Sequence, residues 1–254
     1  MTNLNKMYLL GAGISHSKSP AHWRATFLER GLDWTYELMD LPSEPAAREF
    51  ILSKDYVAIN ITTPWKSLAL ECADEVDYPS DFSSGCNFIV NKGGRLLGHN
   101  VDGGGCLIDL QARGYDMRGA NVVVCGTGPT AKSVSCALAF VGSKVTLLTR
   151  SQKKTGELRV NGHTVLVETY NRSVDRIVHA DFIINATTLG MMLSDPSPID
   201  SDLLNKNQVV LDCIYGHGDT QIIKDARAAG ATCFDGSGML EAQAVCCEKI
   251  LFEG

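Results

Sequence analysis

Residues 121–131, NVVVCGTGPTA, constrain what this chain can fold into more than any other stretch. The run VVVC has the length and β-branched content of a buried strand, and it passes straight into glycines. Proline follows where a first helical residue needs no amide donor, and the apolar, alanine-rich stretch 129–141 reads as a helix. A second apolar run, KVTLLTR at 144–150, comes immediately after. Strand, helix and strand in this order form a β-α-β unit. Further strands are expected at 164–168, 182–185 and 208–212, with a helix at 220–229, so this half reads as a doubly wound parallel sheet of the Rossmann type.

The first hundred residues alternate differently. Strands are expected at 7–10, 34–39 and 57–61, with helices at 20–31 and 45–53, which reads as a separate α/β domain. The apolar segment 239–252 is expected to be a helix that returns to this first domain. The expected division is therefore 1–102, 103–236 and 237–254. A chain of 254 residues that is 44% hydrophobic can supply the cores such a division needs.

Composition excludes several function classes. The nine cysteines have no Cys-x-x-Cys pair and no accompanying histidine cluster, so reduced thiols are expected rather than disulfides or a metal site. The net charge of -6 with no basic block gives no support for nucleic-acid or anionic-membrane binding. No apolar run is long enough to span a bilayer, and no basic segment with a signal-like apolar stretch opens the sequence, so a cytoplasmic location is expected. An anionic small molecule would have to be held by local donors.

The turn after the first strand of the β-α-β unit fits G-x-G-x-x-A with Gly126, Gly128 and Ala131. In this context it is the dinucleotide fingerprint: Gly126 makes the tight turn, Gly128 lets the backbone approach a pyrophosphate, and the helix start favours its charge. Thr127, Pro129 and Thr130 complete the cradle, and Pro129 removes one amide from it. At the end of the second strand an NAD site would carry Asp or Glu. This chain has Thr149, Arg150 and Ser151 instead. Arg150 can meet a 2′-phosphate with a planar fork of donors, and Lys153 or Lys154 adds charge, which favours NADP.

Three segments of the first domain, GISHSKSP, NITTPWK and GHNVDGGG, concentrate polar groups beside glycine and proline. Together with NATTLGM from Asn185, DCIYGHGDT from Asp212 and GSGMLEAQ from Gly236, the chain resembles the shikimate dehydrogenase family in the family's order over nearly its whole length. The resemblance implies NADP-dependent reduction of a ketone on a small hydroxylated carboxylic acid. It assigns Lys66 as the acid or base, because the alkoxide left by hydride transfer must gain a proton. It assigns Asp102 as the carboxylate that orients the ammonium and bonds a substrate hydroxyl. Ser17 and Ser19 would bind the substrate carboxylate with help from Tyr215, and Thr62, Asn87 and Gln243 would contact hydroxyl or keto oxygens. Thr187, Cys213, Gly236 and Met239 would lie along the cofactor.

Each residue also has a plainer role: Ser19 or Asp102 as a helix cap, Lys66 as a surface lysine, Thr62 and Asn87 as turn residues, Tyr215 as a core ring, Gln243 on a solvent face. Their joint order favours the functional reading. The chain departs from the family pattern at Phe88 and Val101, where hydroxyl side chains are usual, at GTGPT in place of G-A-G-G-A, at Thr149 in place of Asn, and in the proline-free GHGDT. Phe88 and Val101 either wall the substrate pocket or pack into the core. The departures leave quinate or an amino-substituted relative open as substrate, and a non-catalytic NADP or metabolite-binding regulator open as a second class. A monomer or homodimer is expected.

Overall fold

The computed structural model describes residues 5–15, 17 and 19–253. The chain divides into two units, the first running to Val101 and resuming at Cys246, the second running from Asp102 to Val245.

The first unit contains β1 (Lys6–Gly11), α1 (Ser19–Glu29), β2 (Thr35–Asp40), α2 (Glu44–Ser53), β3 (Ala58–Ile61), α3 (Lys66–Cys72), β4 (Glu75–Val76), α4 (Tyr78–Ser83), β5 (Phe88–Lys92) and β6 (Arg95–His99). Its sheet has the order β2-β1-β3-β5-β6-β4, with β1 parallel to β2 and β3, and β5 antiparallel to β3 and β6. Period-two alternation distributes its side chains between two cores. Tyr8, Leu10, Ile59, Ile61 and Ile89 face one cluster with Ala47 and Ile51 of α2 and Leu68 and Ala69 of α3. Met7, Leu9, Ala58, Phe88 and Val90 face the other, with Trp23 and Phe27 of α1 and Cys247 near the C-terminus. Trp23 stacks on Tyr36 with ring centroids 5.9 Å apart, and each such fully buried apolar side chain stabilises the fold by about 1.5–3 kcal/mol.

The β5–β6 hairpin, which apolar periodicity does not reveal, turns on Gly93 and Gly94 at φ 63° and 90°. Both values are positive, as a two-residue type I′ turn requires, and only glycine adopts them without cost.

The second unit contains α5 (Asp102–Ala112), β7 (Asn121–Cys125), α6 (Pro129–Phe140), β8 (Lys144–Thr149), β9 (Gly156–Val160), β10 (His163–Thr169), α7 (Val174–Val178), β11 (Phe182–Asn185), β12 (Val209–Asp212), α8 (Gln221–Ala228), β13 (Thr232–Phe234) and the first half of α9 (Ser237–Glu253). Its sheet order is β13-β12-β11-β7-β8-β10-β9, parallel except for β9. From β7 the chain winds outward through β8 and β10, then returns to β11 on the other side and winds out to β13. The order reverses between β7 and β11, which is where doubly wound sheets bind their ligands.

Helix α9 starts two residues earlier than the apolar segment suggests, and it belongs to the second unit as far as Val245. Its later residues serve the first unit: Glu248 accepts hydrogen bonds from Thr26 and His22 of α1 at 3.0 Å each, and Phe252 packs at 5.9 Å from Trp34. No helix among the described residues is long and apolar enough to cross a membrane.

Candidate active site

In the first unit, the chain connections that follow β1 and β3 carry three of the predicted substrate residues, Ser17 and Ser19 after β1 and Thr62 after β3. The amide of Ala12, just past β1, donates to the Thr63 carbonyl at 3.2 Å, and the amide of Thr62 donates to Leu10 at 2.9 Å. A Cβ on Gly11 would fall 2.5 Å from both Ile14 and Thr62, so only glycine lets these two loops meet. Asp40 at the end of β2 accepts from the amides of Gly13 at 2.9 Å and Ile14 at 3.3 Å and so holds the serine loop from the other side. Ser17 Oγ accepts from the Ser19 amide at 3.2 Å, so Ser17 rather than Ser19 braces the start of α1. His16 and Lys18 lie outside the described residues.

Lys66 is the first residue of α3 and is partly exposed. A cation at a helix start opposes the helix dipole by about 0.3–1 kcal/mol, so the position does not serve α3. The Lys66 carbonyl accepts from the Cys86 amide at 2.8 Å, which brings Asn87 beside the same loop, and the Asn87 carbonyl accepts from Ile61 at 2.8 Å. Asn87 Oδ1 accepts from the Val101 amide at 2.9 Å, so this side chain also has a turn-stabilising role.

Phe88 and Val101 do not wall a pocket. Phe88 is 0% exposed and Val101 is buried, both in the cluster with Trp23 and Phe27. Register is the reason: Phe88 opposes Asn60 and His99, which puts its side chain on the α1 side of the sheet. Asn60, which the sequence reading passes over within NITTPWK, accepts from the Tyr36 hydroxyl at 2.9 Å and donates to Cys247 Sγ at 3.4 Å.

In the second unit, Gly126 sits at φ 107°, and a Cβ there would lie 3.1 Å from the Ala186 carbonyl at the end of β11. Any other residue would be strained in this turn from β7 into α6. Gly128 precedes α6, and a Cβ built on it meets nothing within 4 Å, so open space lies over the helix start. Pro129 opens α6, flanked by Thr127 and Thr130, and Ala131 is fully buried against the sheet. Helix starts leave amides without intrahelical acceptors and carry partial positive charge, so this cradle suits a pyrophosphate.

Thr149 ends β8 buried, and its Oγ1 accepts from the Ser151 amide at 3.1 Å. That turn leaves Arg150 exposed, with Lys153 and Lys154 on the next short helical turn. Among the described residues none of the three forms an ion pair, so this cationic cluster suits a phosphate monoester.

A buried network organises the ends of β11 and β12. Asn185 Nδ2 donates to Asp212 Oδ1 at 2.9 Å, Thr220 Oγ1 donates to Asp212 Oδ2 at 2.5 Å, and Thr187 Oγ1 donates to Asn185 Oδ1 at 2.7 Å. Burial raises the Asp212 carboxyl above its ordinary range, and the Thr220, Ile214 and Asn185 donors offset only part of that. The network fixes Thr187 and, through the Cys213 amide on the Asn185 carbonyl at 2.9 Å, the start of the loop that carries Cys213 and Tyr215. Tyr215 is half-buried, which raises its phenol. A Cβ on Gly236 would fall 2.4 Å from the Cys213 carbonyl.

Asp102, 2% exposed, is the first residue of α5. One turn on, a Cβ at Gly105 would lie 2.5 Å from Gln243 Cγ and 3.0 Å from the Met239 carbonyl. Gln243 therefore packs on α5 instead of facing solvent, and buried Met239 stands beside it.

These features define an α/β protein of two units, the second a Rossmann-type dinucleotide-binding domain. Residues 9–89 match the shikimate dehydrogenase substrate binding domain. The chain is 30% identical over 257 residues to the NADP(+) shikimate dehydrogenase of Symbiobacterium thermophilum, covering 96% of this chain and 87% of that one. It is 31% identical to that of Methanothrix thermoacetophila, covering 96% and 91%. The crystal structure of the Thermus thermophilus enzyme in complex with NADP(H) and shikimate superposes with a TM-score of 0.84 at 26% identity, covering 99% of this chain and 94% of that one. The chain belongs to the shikimate dehydrogenase family.

Proposed function

We propose that this chain is an NADP-dependent shikimate dehydrogenase that interconverts 3-dehydroshikimate and shikimate. The observation that carries the reading is that a member of this family keeps Lys66, Asp102 and the serine loop together, a set that mere binding of a metabolite does not need. Ser17 and Ser19 bind the substrate carboxylate with Tyr215 beside it, and Thr62, Asn87 and Gln243 bind ring oxygens.

Gly126, Gly128 and the start of α6 hold the cofactor pyrophosphate, and Arg150 with Lys154 holds its 2′-phosphate. Cys213, Gly236 and Met239 border the nicotinamide, and Thr187 also contacts the cofactor. When bound, NADPH supplies the hydride that reduces the ketone. Lys66 delivers its Nζ proton to the substrate oxygen that becomes the hydroxyl, and takes it back in the reverse direction. Asp102 fixes a substrate hydroxyl by accepting a hydrogen bond from it. The protein acts in the cytoplasm as a monomer or homodimer, without nucleic-acid or membrane partners.

The test is a set of initial rates at 340 nm with NADP or NAD against shikimate, quinate and aminoshikimate. Shikimate with NADP is expected to be fastest. Arg150→Asp should raise the KM for NADP about ten- to a hundredfold more than that for NAD, the size of one or two charge-assisted hydrogen bonds. Faster turnover of quinate would reassign the substrate. Binding of NADPH with no turnover of any of the three would make the chain a regulator.

A further inference from the structure

Helix α5 opens on Asp102, and its next amide, that of Gly103, belongs to the first turn, where a helix has no acceptor of its own. The acceptor comes from α6: Gly103 donates to Ser133 Oγ at 2.9 Å. Ser133 is 1% exposed, so water does not compete for the bond. A Cβ on Gly103 would come 2.1 Å from the Ser133 carbonyl, so the two backbones touch at this point.

Nothing in α6 itself calls for the serine. Serine in a helix interior is less favourable than alanine, because its hydroxyl competes for backbone groups. Two residues on, Ser135 shows the contrast: its hydroxyl is fully buried and has no hydrogen-bond partner among the described residues. Ser133 lies four residues after Pro129, about 6 Å along the helix from the pyrophosphate cradle.

We propose that Ser133 is a positioning residue for the reaction, holding the first turn of α5, and with it Asp102, against the helix that carries the cofactor. The proposal rests on the reading that Asp102 binds substrate. Removing the hydroxyl leaves the Gly103 amide buried without an acceptor, so the first turn of α5 shifts to recover one. A shift of about 1 Å in a group that orients substrate is enough to cost about a hundredfold in rate.

Steady-state kinetics on shikimate and NADP, fluorescence titration with NADPH and thermal melts test this in Ser133→Ala, Ser133→Thr and the control Ser135→Ala. Ser133→Ala should lose at least about tenfold in kcat with an unchanged NADPH dissociation constant. Ser133→Thr, which keeps the oxygen, should recover most of that loss, and Ser135→Ala should behave as wild type. In the Asp102→Asn background Ser133→Ala should cost little more, because the group it positions is already impaired. The proposal is overturned if Ser133→Ala is as active as Ser135→Ala, or if it loses the same factor with Asp102 and with Asn at that position. A wild-type protein that binds NADPH and does not turn over shikimate removes the functional reading and this proposal together, an outcome distinct from the other two.

Discussion

Phe88 shows how far a single side chain's role depends on register. As a neighbour of Asn87 it stands beside a proposed substrate residue in the sequence, yet β5 alternation turns it into the core with Trp23 and Val101. Phe88→Ala should therefore lower unfolding free energy by about 3–5 kcal/mol, the usual cost of emptying a buried aromatic site. The KM for shikimate should stay within about twofold. Denaturant unfolding paired with steady-state kinetics reads both, and unchanged stability with an altered KM would return Phe88 to the pocket. The roles proposed for Lys66, Asp102 and the two serines come from several short motifs that occur in one order. The Asn185, Asp212 and Thr220 network was not legible in the sequence, since its members are brought together by parallel pairing of β11 with β12 and no spacing in the chain announces it. Ser133 was hidden for the same reason: its partner lies thirty residues away on another helix.

At the scale of elements, α4 and the β6 strand are joined through Asp77. Its Oδ1 caps α4 by accepting from the Ser80 amide at 2.9 Å, and its Oδ2 lies 3.1 Å from His99 Nδ1. Burial alone would raise this carboxyl, but the His99 and Ser80 bonds outweigh it and hold it below the ordinary carboxylate range. A carboxylate with a depressed folded-state pKa contributes stability that is fully present above its unfolded value of about 3.9 and is lost as pH falls through the folded value. Asp212, raised by burial, works in the opposite sense, and its favourable contribution is lost as pH rises through its folded value. Comparing wild type with Asp77→Asn isolates the first effect: the stability difference should be largest near neutrality and shrink below about pH 4. A difference that does not change with pH would mean that the Asp77 charge is not what joins these elements.

Elements with strong apolar runs, such as β7, β8 and β11, were legible to within a residue or two. The two hairpins carried usable signals in Gly93-Gly94 and Asn161-Gly162, whose positive φ values match type I′ turns. Strand β4 had none: two exposed residues paired at a sheet edge leave no period to read.

For the whole molecule, the division after Val101 places Lys66 and Asp102 in different units, and α9 contributes to both. Two glycines of α5 that an isolated helix would replace with alanine, Gly103 and Gly105, are explained by close packing within the second unit. Gly103 meets α6 and Gly105 meets α9, so α5 is the element on which α6 and the Met239 and Gln243 segment converge. Central to the proposed reaction is the passage of its proton through Lys66 Nζ. The most direct measurement is kcat/KM for shikimate with NADP in Lys66→Met against wild type, both shown to be folded by thermal melting and to bind NADPH alike. The predicted result is a loss of about two to four orders of magnitude, the size of positioned acid-base catalysis. A folded Lys66→Met protein that turns over shikimate within a few fold of wild type would contradict it.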